Sequence, residues 1–510
     1  MADPSHTYLY LGIALVSLFV VLLSKRRRSP EALRLPPGPW QLPVLGSLHH
    51  LAGQLPHRVM RDLARRYGPV MMLRLGEVPT VVVSSRDAAR EVMKTHDSAF
   101  ATRPLSATMR VLTKGRDIAL APYGDYWRQV RRIAAMELLS ARRVLSFRPI
   151  REGEVAAMLR AVEDAAAHRR AVDMQAVLSA LVSDTTTRAV MGDRWKDRDV
   201  FLREHDRALQ LSAGFNLPDL WPSSRLAGCL SGVVREAEKC RDKVFGILDG
   251  VIDQHLQKAE SGADVDGEDL IDVLLRIRKE GGLQFPLDMD AIKAIIFGIF
   301  AAGSETSATT LGWAIAELIR NPKAMQKATA EVRRAFASDG VVSDAAVGEL
   351  HYLNLGNRET LRLHPPAPLL VPRECREPCQ QVLGYDVPQG TQVLVNVWAL
   401  GRDERYWPNY SPEEFHPERF IDGEAGSMVD FKGFNFELLP FGAGRRMCPG
   451  MAFGLANLEL PLASLLFHFD WEVPGLADPA DLQGRPWASA DGATALGLQK
   501  LGASKICIPH

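Results

Sequence analysis

One cysteine differs from the rest in its setting. Cys448 lies in Phe441-Gly442-Ala443-Gly444-Arg445-Arg446-Met447-Cys448-Pro449-Gly450. A thiolate is a nucleophile and a metal ligand, and it needs positive charge or N–H donors to persist at neutral pH. Arg445 and Arg446 offer that charge. The glycines on either side let the backbone turn tightly and approach a flat ligand without a Cβ in the way. Helical periodicity returns from Met451 to Leu466, so the loop feeds a helix N-terminus, which also favours an anion. Cys229, Cys240, Cys375, Cys379 and Cys507 have no such surroundings and read as structural. No CxxC pair occurs, which argues against a zinc ribbon, and six cysteines in 510 residues make no disulfide framework.

Two further constellations carry chemistry. Within Ala302-Gly303-Ser304-Glu305-Thr306-Ser307, Glu305 and Thr306 interrupt an otherwise apolar helical pattern. Polar groups in a buried helix cost free energy unless they are paired or used. The plainer reading of Thr306 is a hydroxyl bonded to the carbonyl four residues earlier, bending the helix. Glu359 and Arg362 stand three apart, on one helical face. On a surface such a pair stabilises by only about 0.2–0.5 kcal/mol. There is no GxxxxGK[ST], no GxSxG and no HExxH, so ATPase, serine-hydrolase and zinc-protease readings lose their usual support.

The elements that must position these residues are mostly helical. Apolar periodicity predicts helices over Ile150 to Glu163, Val234 to Ala259 and Asp290 to Arg320. Val78 to Ser84 and Gln392 to Trp398 read as β-like runs. About 470 residues is large for a single core, so pattern alone suggests two domains. Ahead of that body, Thr7 to Ser24 carries no charge and spans about 27 Å as a helix. Lys25, Arg26, Arg27 and Arg28 follow it, the reverse of the order in a cleaved signal peptide. This predicts a transmembrane signal anchor over 1–24 with the rest of the chain on the cytosolic side. Leu35-Pro36-Pro37-Gly38-Pro39 completes a basic, proline-rich hinge over 25–39. The chain has 61 basic and 61 acidic residues, and this balance argues against a nucleic-acid partner.

The segment FGAGRRMCPG resembles the haem-binding signature FxxGxRxCxG of the cytochrome P450 family. Trp127 and Arg131 in YGDYWRQVRR, the Ala302–Ser307 motif, Glu359-Thr360-Leu361-Arg362 and Pro417-Glu418-Arg419-Phe420 follow in that family's order. Nine-tenths of the chain resembles plant microsomal, A-type members. The resemblance implies a mainly α fold, a large helical domain with small β-sheets over 40–510, behind the single anchor. It implies haem b, with Cys448 as the iron ligand and Phe441 and Gly444 in its loop. Arg446, Arg131, Trp127 and Arg373 are implied to hold the propionates, and Thr306 to deliver protons for dioxygen activation with Glu305 beside it. Glu359, Arg362 and Arg419 are implied to form a buried network beneath the cysteine loop. By the same resemblance the pocket is lined by the loop from Ala101 to Ile118, by Phe297, Ala301 and Ala302, and by Ala367 to Val371, with Leu369 among the apolar contacts.

The activity so implied is monooxygenation of an apolar plant metabolite, a terpenoid first, with indole-derived or phenolic defence compounds as the alternative. Electrons would come from NADPH through cytochrome P450 reductase at the endoplasmic reticulum membrane, with membrane lipid as a further contact. A P450-type isomerase or dehydratase would depart at Thr306 and carry an insertion in the cysteine loop, and this chain does neither. Two departures keep a non-catalytic haem-binding membrane protein open. Gly356-Asn357 stands where the family has aliphatic residues, and the segment from Gln483 does not follow the family's C-terminal pattern.

Overall fold

The computed structural model describes residues 33–471 apart from 169, 193–196, 213–214, 262–267, 422–423, 425 and 427. The anchor, residues 25–32 of the hinge and the segment from Gln483 lie outside the described residues. The helices that build and support the site are α1 (Asp125–Ile133), α2 (Arg148–Ala167), α3 (Met174–Met191), α4 (Val233–Ser261), α5 (Met289–Arg320), α6 (His351–Leu363) and α7 (Met451–His468). The three helices expected from periodicity fall inside α2, α4 and α5.

α5 runs 32 residues, about 48 Å, through the interior. Asp288 caps its start by accepting a hydrogen bond from the Ala291 amide at 2.8 Å. Asn321 ends it, and Pro322 opens the next helix. Nearly every residue from Ser307 to Ile319 is buried, and α5 packs on α3 and α7. Both α5 and α7 are long and apolar enough to cross a membrane, yet they form the centre of the protein. Their apolar composition is that of helices surrounded by protein on all sides.

The β-structure is small. A four-stranded sheet has the order β1 (Val70–Leu75), β2 (Val78–Val83), β6 (Gln392–Val395), β3 (Arg373–Glu374). β1 and β2 pair antiparallel with Val70 opposite Val83, whereas β2 and β6 run parallel. β4 (Cys379–Val382) and β5 (Tyr385–Pro388) form a separate hairpin whose turn residues, Leu383 and Gly384, both have positive φ. The later β-like run is shorter than its sequence predicts. It stops at Val395 because Asn396 caps a helical turn, its side chain accepting from the Ala399 amide at 3.0 Å. Gly356 and Asn357 do not interrupt α6. Gly356 borders a void of about 10 Å³ where a Cβ would touch nothing, and buried Asn357 has no hydrogen-bond partner for either amide atom among the described residues.

Candidate active site

The cysteine loop is folded by its own backbone. Gly442 donates to the Leu439 carbonyl, Met447 to Gly444 and Cys448 to Phe441, at 3.0, 3.0 and 2.9 Å. Gly442 and Gly444 adopt φ values of 67° and 68°. These conformations favour glycine, so the spacing of the signature is a requirement of the turn. Gly444 serves a different purpose from the one its sequence suggests. A Cβ there would collide with the Met93 carbonyl, and Gly444 does not line the cavity described next. Its smallness lets the loop close on the Met93–Asp97 segment, where the Arg445 amide donates to Asp97 Oδ2 at 2.7 Å.

Below the loop lies a cavity of about 340 Å³ between the Cys448 segment and α5. Cys448 and Ala302 both count as exposed, although Cys448 is walled off from bulk solvent and Ala302 sits in a core helix; both line this cavity. Burial raises the thiol above its ordinary pKa, and a hydrogen bond from the Gly450 backbone and the charge of Arg131 oppose that rise. Phe297, Ala301, Gly303 and Thr306 complete the α5 wall. Thr306 Oγ1 donates to the Ala302 carbonyl at 2.6 Å, so the helix-bonded rotamer foreseen as the plainer reading is the one present.

Arg103, Arg131, Arg373 and Arg446 all reach this cavity. Arg446 is held by the carbonyls of Ala101, Ala119 and Ala121 at 2.6, 3.4 and 2.6 Å. Arg103 is held by those of Val371, Pro372 and Ala119 at 2.6, 2.8 and 3.3 Å. Carbonyls orient a guanidinium without cancelling its charge. Arg373 alone has a carboxylate, Asp97 at 3.2 Å. Burial pushes Arg446 down to about 9, with neighbouring Arg373 adding to the effect. Arg103, Arg131 and Arg373 are lowered too, burial leading in each case. A cluster of desolvated cations supported by neutral oxygens is incomplete without an anion.

The remaining expected residues divide clearly. Trp127 lines the cavity, but its indole N–H is taken by the Ile118 carbonyl at 3.1 Å, so it is not a free donor to a ligand. Its ring lies 4.3 Å from the Arg446 guanidinium and holds that side chain by a cation–π contact. Leu369 is displaced from the pocket: it packs against the apolar cluster that joins the sheet residues Met71, Leu73, Val82 and Leu394 to Leu51 and Leu63, and Leu370 faces the cavity instead. Leu370 has φ 53°, and this left-handed residue reverses the side-chain alternation. Glu305 is half-buried and does not line the cavity, because it sits about 100° around the helix from Thr306.

Glu359, Arg362 and Arg419 are brought together away from solvent. Glu359 takes Arg362 at 2.7 and 2.8 Å and Arg419 at 2.9 Å, with the Glu359 and Arg362 side chains 0 % exposed. The guanidiniums' other donors reach the carbonyls of Gly401, Ser411, Pro412 and Glu414. Trp407 lies over Arg362, and its apolar cluster leads through Phe431 to an edge contact with Phe441 at 5.5 Å. This is a packed path from the network to the start of the cysteine loop.

Sequence reasoning passed over Asp97 and, within the loop from Ala101 to Ile118 that it assigned to the pocket, did not single out Arg103 or Asp117. Arg103 had a visible signal, a lone arginine in the apolar run Phe100-Ala101-Thr102-Arg103-Pro104. Asp97 had none.

A mainly helical protein with an interior cysteine, an apolar wall and unbalanced guanidiniums is a container for a large, mostly apolar group bound through sulfur and carrying acid substituents. Residues 36–491 match the family model described as Cytochrome P450. Premnaspirodiene oxygenase of Hyoscyamus muticus is 48% identical over 477 residues, covering 92% of this chain and 93% of that protein. The 5-epiaristolochene 1,3-dihydroxylase of Nicotiana tabacum is likewise 48% identical over 477 residues, with the same coverages. A zebra fish cytochrome P450 solved with abiraterone superposes with a TM-score of 0.71 at 25% identity, over 89% of this chain and 99% of that one. The chain belongs to the cytochrome P450 family, in its plant A-type group, and is a monooxygenase. Membership implies haem, dioxygen, an organic substrate and a redox partner. The Cys448 sulfur and the anion-seeking arginines fit that cofactor.

Proposed function

We propose that this monooxygenase inserts one oxygen atom into a terpenoid, on the cytosolic face of the endoplasmic reticulum, with NADPH electrons passed by cytochrome P450 reductase. The observation that carries the reading is the cavity itself: Cys448 opposite an apolar α5 face, in a chain whose relatives include the terpenoid oxygenases premnaspirodiene oxygenase and 5-epiaristolochene 1,3-dihydroxylase. Haem b ligated by Cys448 would supply the electron transfer and dioxygen chemistry. Arg103, Arg131, Arg373 and Arg446 bind its acid groups, and Trp127 keeps Arg446 aimed. Phe297, Ala301, Ala302 and Leu370 exclude water and give a hydrocarbon skeleton apolar surface. Thr306 Oγ1 holds a proton on the cavity side, now shared with the Ala302 carbonyl, and rotation of one side-chain bond releases it to the cavity. Glu305, off the cavity, would resupply that hydroxyl from the protein side.

Partners and place have their own support. Arg132 and Arg445, each next in sequence to a cavity arginine, are exposed and offer positive charge to an acidic docking face. Trp40, Val44, Leu226 and Leu230 are exposed apolar side chains. Their two segments are joined where Trp221 Nε1 donates to the Val44 carbonyl at 3.2 Å. Such a patch suits contact with lipid beside the 1–24 anchor.

The test is reconstitution with reductase and NADPH against a panel of sesquiterpenes, indoles and phenols. The reading expects oxygenated terpenoid products. Turnover of indoles or phenols alone refutes it. In the same assay Thr306→Ala should keep haem and NADPH oxidation but release more peroxide per product. An unchanged yield per NADPH would reduce Thr306 to a helix-bending residue.

A further inference from the structure

Asp97 is a buried carboxylate behind the cavity, outside its lining. It follows the helical stretch Glu91–Thr95 in a turn closed by its own backbone. The His96 amide donates to the Glu91 carbonyl at 2.7 Å, and the Ala99 and Phe100 amides donate to the His96 carbonyl at 3.0 and 3.3 Å. From this fixed turn both oxygens of Asp97 are used. Oδ2 accepts from the Arg445 amide at 2.7 Å, and Oδ1 accepts from Arg373 Nη1 at 3.2 Å. Arg373 also donates through Nη2 to the Ala443 carbonyl at 2.9 Å. These contacts close a ring from Asp97 through Arg373 to Ala443, along the cysteine loop to Arg445, and back. Gly444 lies inside the ring, where a Cβ would stand 2.7 Å from Asp97 Oδ2. One side chain thus ties the loop that carries Cys448 to a guanidinium that faces the cavity. Among the described residues it is also the one carboxylate ion-paired with the cavity arginines. Its charge opposes the effect of burial on Arg373 and on Arg446. A group that orients a metal's ligands from behind also tunes the metal they hold.

We propose that Asp97 is a positioning residue for the haem. It fixes the Cys448 loop and Arg373 relative to each other, and its negative charge holds the reduction potential of the bound iron below the value that the arginines alone would set. The proposal rests on the reading that Cys448 holds the iron and Arg373 an acid group of the cofactor. The sign follows from the charges. One electron converts the ferric haem to the ferrous form, no bond in the protein changes, and one negative charge is added beside the arginines. Nearby cations favour that change, and a nearby carboxylate opposes it. At an effective dielectric of about 20, a unit charge on the order of 10 Å away alters such an equilibrium by about tenfold.

The experiment uses the full-length holoenzyme in four forms: unaltered, Asp97→Asn, Arg373→Gln and the double variant. In Asp97→Asn the amide oxygen can still accept from the Arg445 amide while the charge is gone. Titration with dithionite as the electron donor gives the potential, and the carbon-monoxide spectrum reports whether sulfur still holds the iron. Asp97→Asn should keep the red-shifted band and raise the equilibrium constant for reduction by about threefold or more. That factor corresponds to about 28 mV, at 59 mV per tenfold for one electron. A similar rise should follow when Asp97→Asn is added to Arg373→Gln, where no guanidinium is left stranded. This second comparison decides the matter if Asp97→Asn alone fails to retain haem. An unchanged or lowered potential with the band intact overturns the inference and leaves Asp97 a purely structural residue. Loss of the band from Asp97→Asn and the double variant alike also overturns it, because the retained acceptor should keep the loop in place. Absence of the band from the unaltered holoenzyme refutes the reading of Cys448 first, and the inference with it.

Discussion

Two groups of buried arginines in this protein make opposite use of the same side chain. Arg362 and Arg419 share the carboxylate of Glu359, and their remaining donors end on carbonyls, so charge and hydrogen bonds are both satisfied within the protein. Arg103, Arg131 and Arg446 have carbonyls or nothing charged within hydrogen-bond distance, and only Arg373 in their cluster has an acid partner. The first group is a closed structural unit. The second is stable only as part of something larger. A buried arginine is therefore evidence of binding when its charge is left over, and evidence of architecture when it is not.

Removing Glu359 should produce the largest effect. Glu359→Ala strands two desolvated guanidiniums and should cost about 3–5 kcal/mol. Soluble, folded protein should be lost whether haem is supplied or not, as read by yield and by protease resistance. Equal survival with and without Glu359 would show that its network is dispensable.

The open cluster should behave differently. Arg446→Met should lower holoprotein stability by about 2 kcal/mol more than apoprotein stability, because the charge matters only when its anion is present. Melting curves with and without haem, together with haem retention through a desalting column, give the comparison. A similar loss in both forms would move Arg446 into the structural class.

The smallest effect concerns the rigid half alone. Gly356→Ala places a Cβ in empty space on the helix that carries Glu359 and Arg362. It should stabilise by about 1 kcal/mol through helix propensity and leave haem retention and turnover unchanged. A fall in thermal midpoint would show that Gly356 has a packing role.

What the sequence made legible follows from how local each signal is. The cysteine loop and the Glu359–Arg362 pair are short motifs whose geometry is set by a few bonds along the chain, and α5 announces itself by its apolar length. Leu369 and Leu370 could not be told apart, because a single left-handed residue decides which one faces the cavity. Trp127 lines the cavity, but the carbonyl that takes its N–H belongs to Ile118 in a loop without periodicity, so that contact was not legible in the sequence. Arg103 and Asp117 lie in the loop assigned to the pocket but were not singled out within it, and Asp97 was passed over because its partner Arg373 lies hundreds of residues away and nothing next to Asp97 in sequence says so.

Cys448 is the residue on which the open cluster, the cavity and the family assignment converge. A carbon-monoxide difference spectrum of the reduced protein reports thiolate ligation directly. The unaltered chain and Cys375→Ser should both show the red-shifted band characteristic of P450s, the buried Cys375 being replaceable because its thiol donates to the backbone carbonyls of Glu377 and Val387, which a serine hydroxyl can also reach. Cys448→His should lose that band along with oxygenation. The same band in Cys448→His would contradict the assignment of Cys448 as the iron ligand.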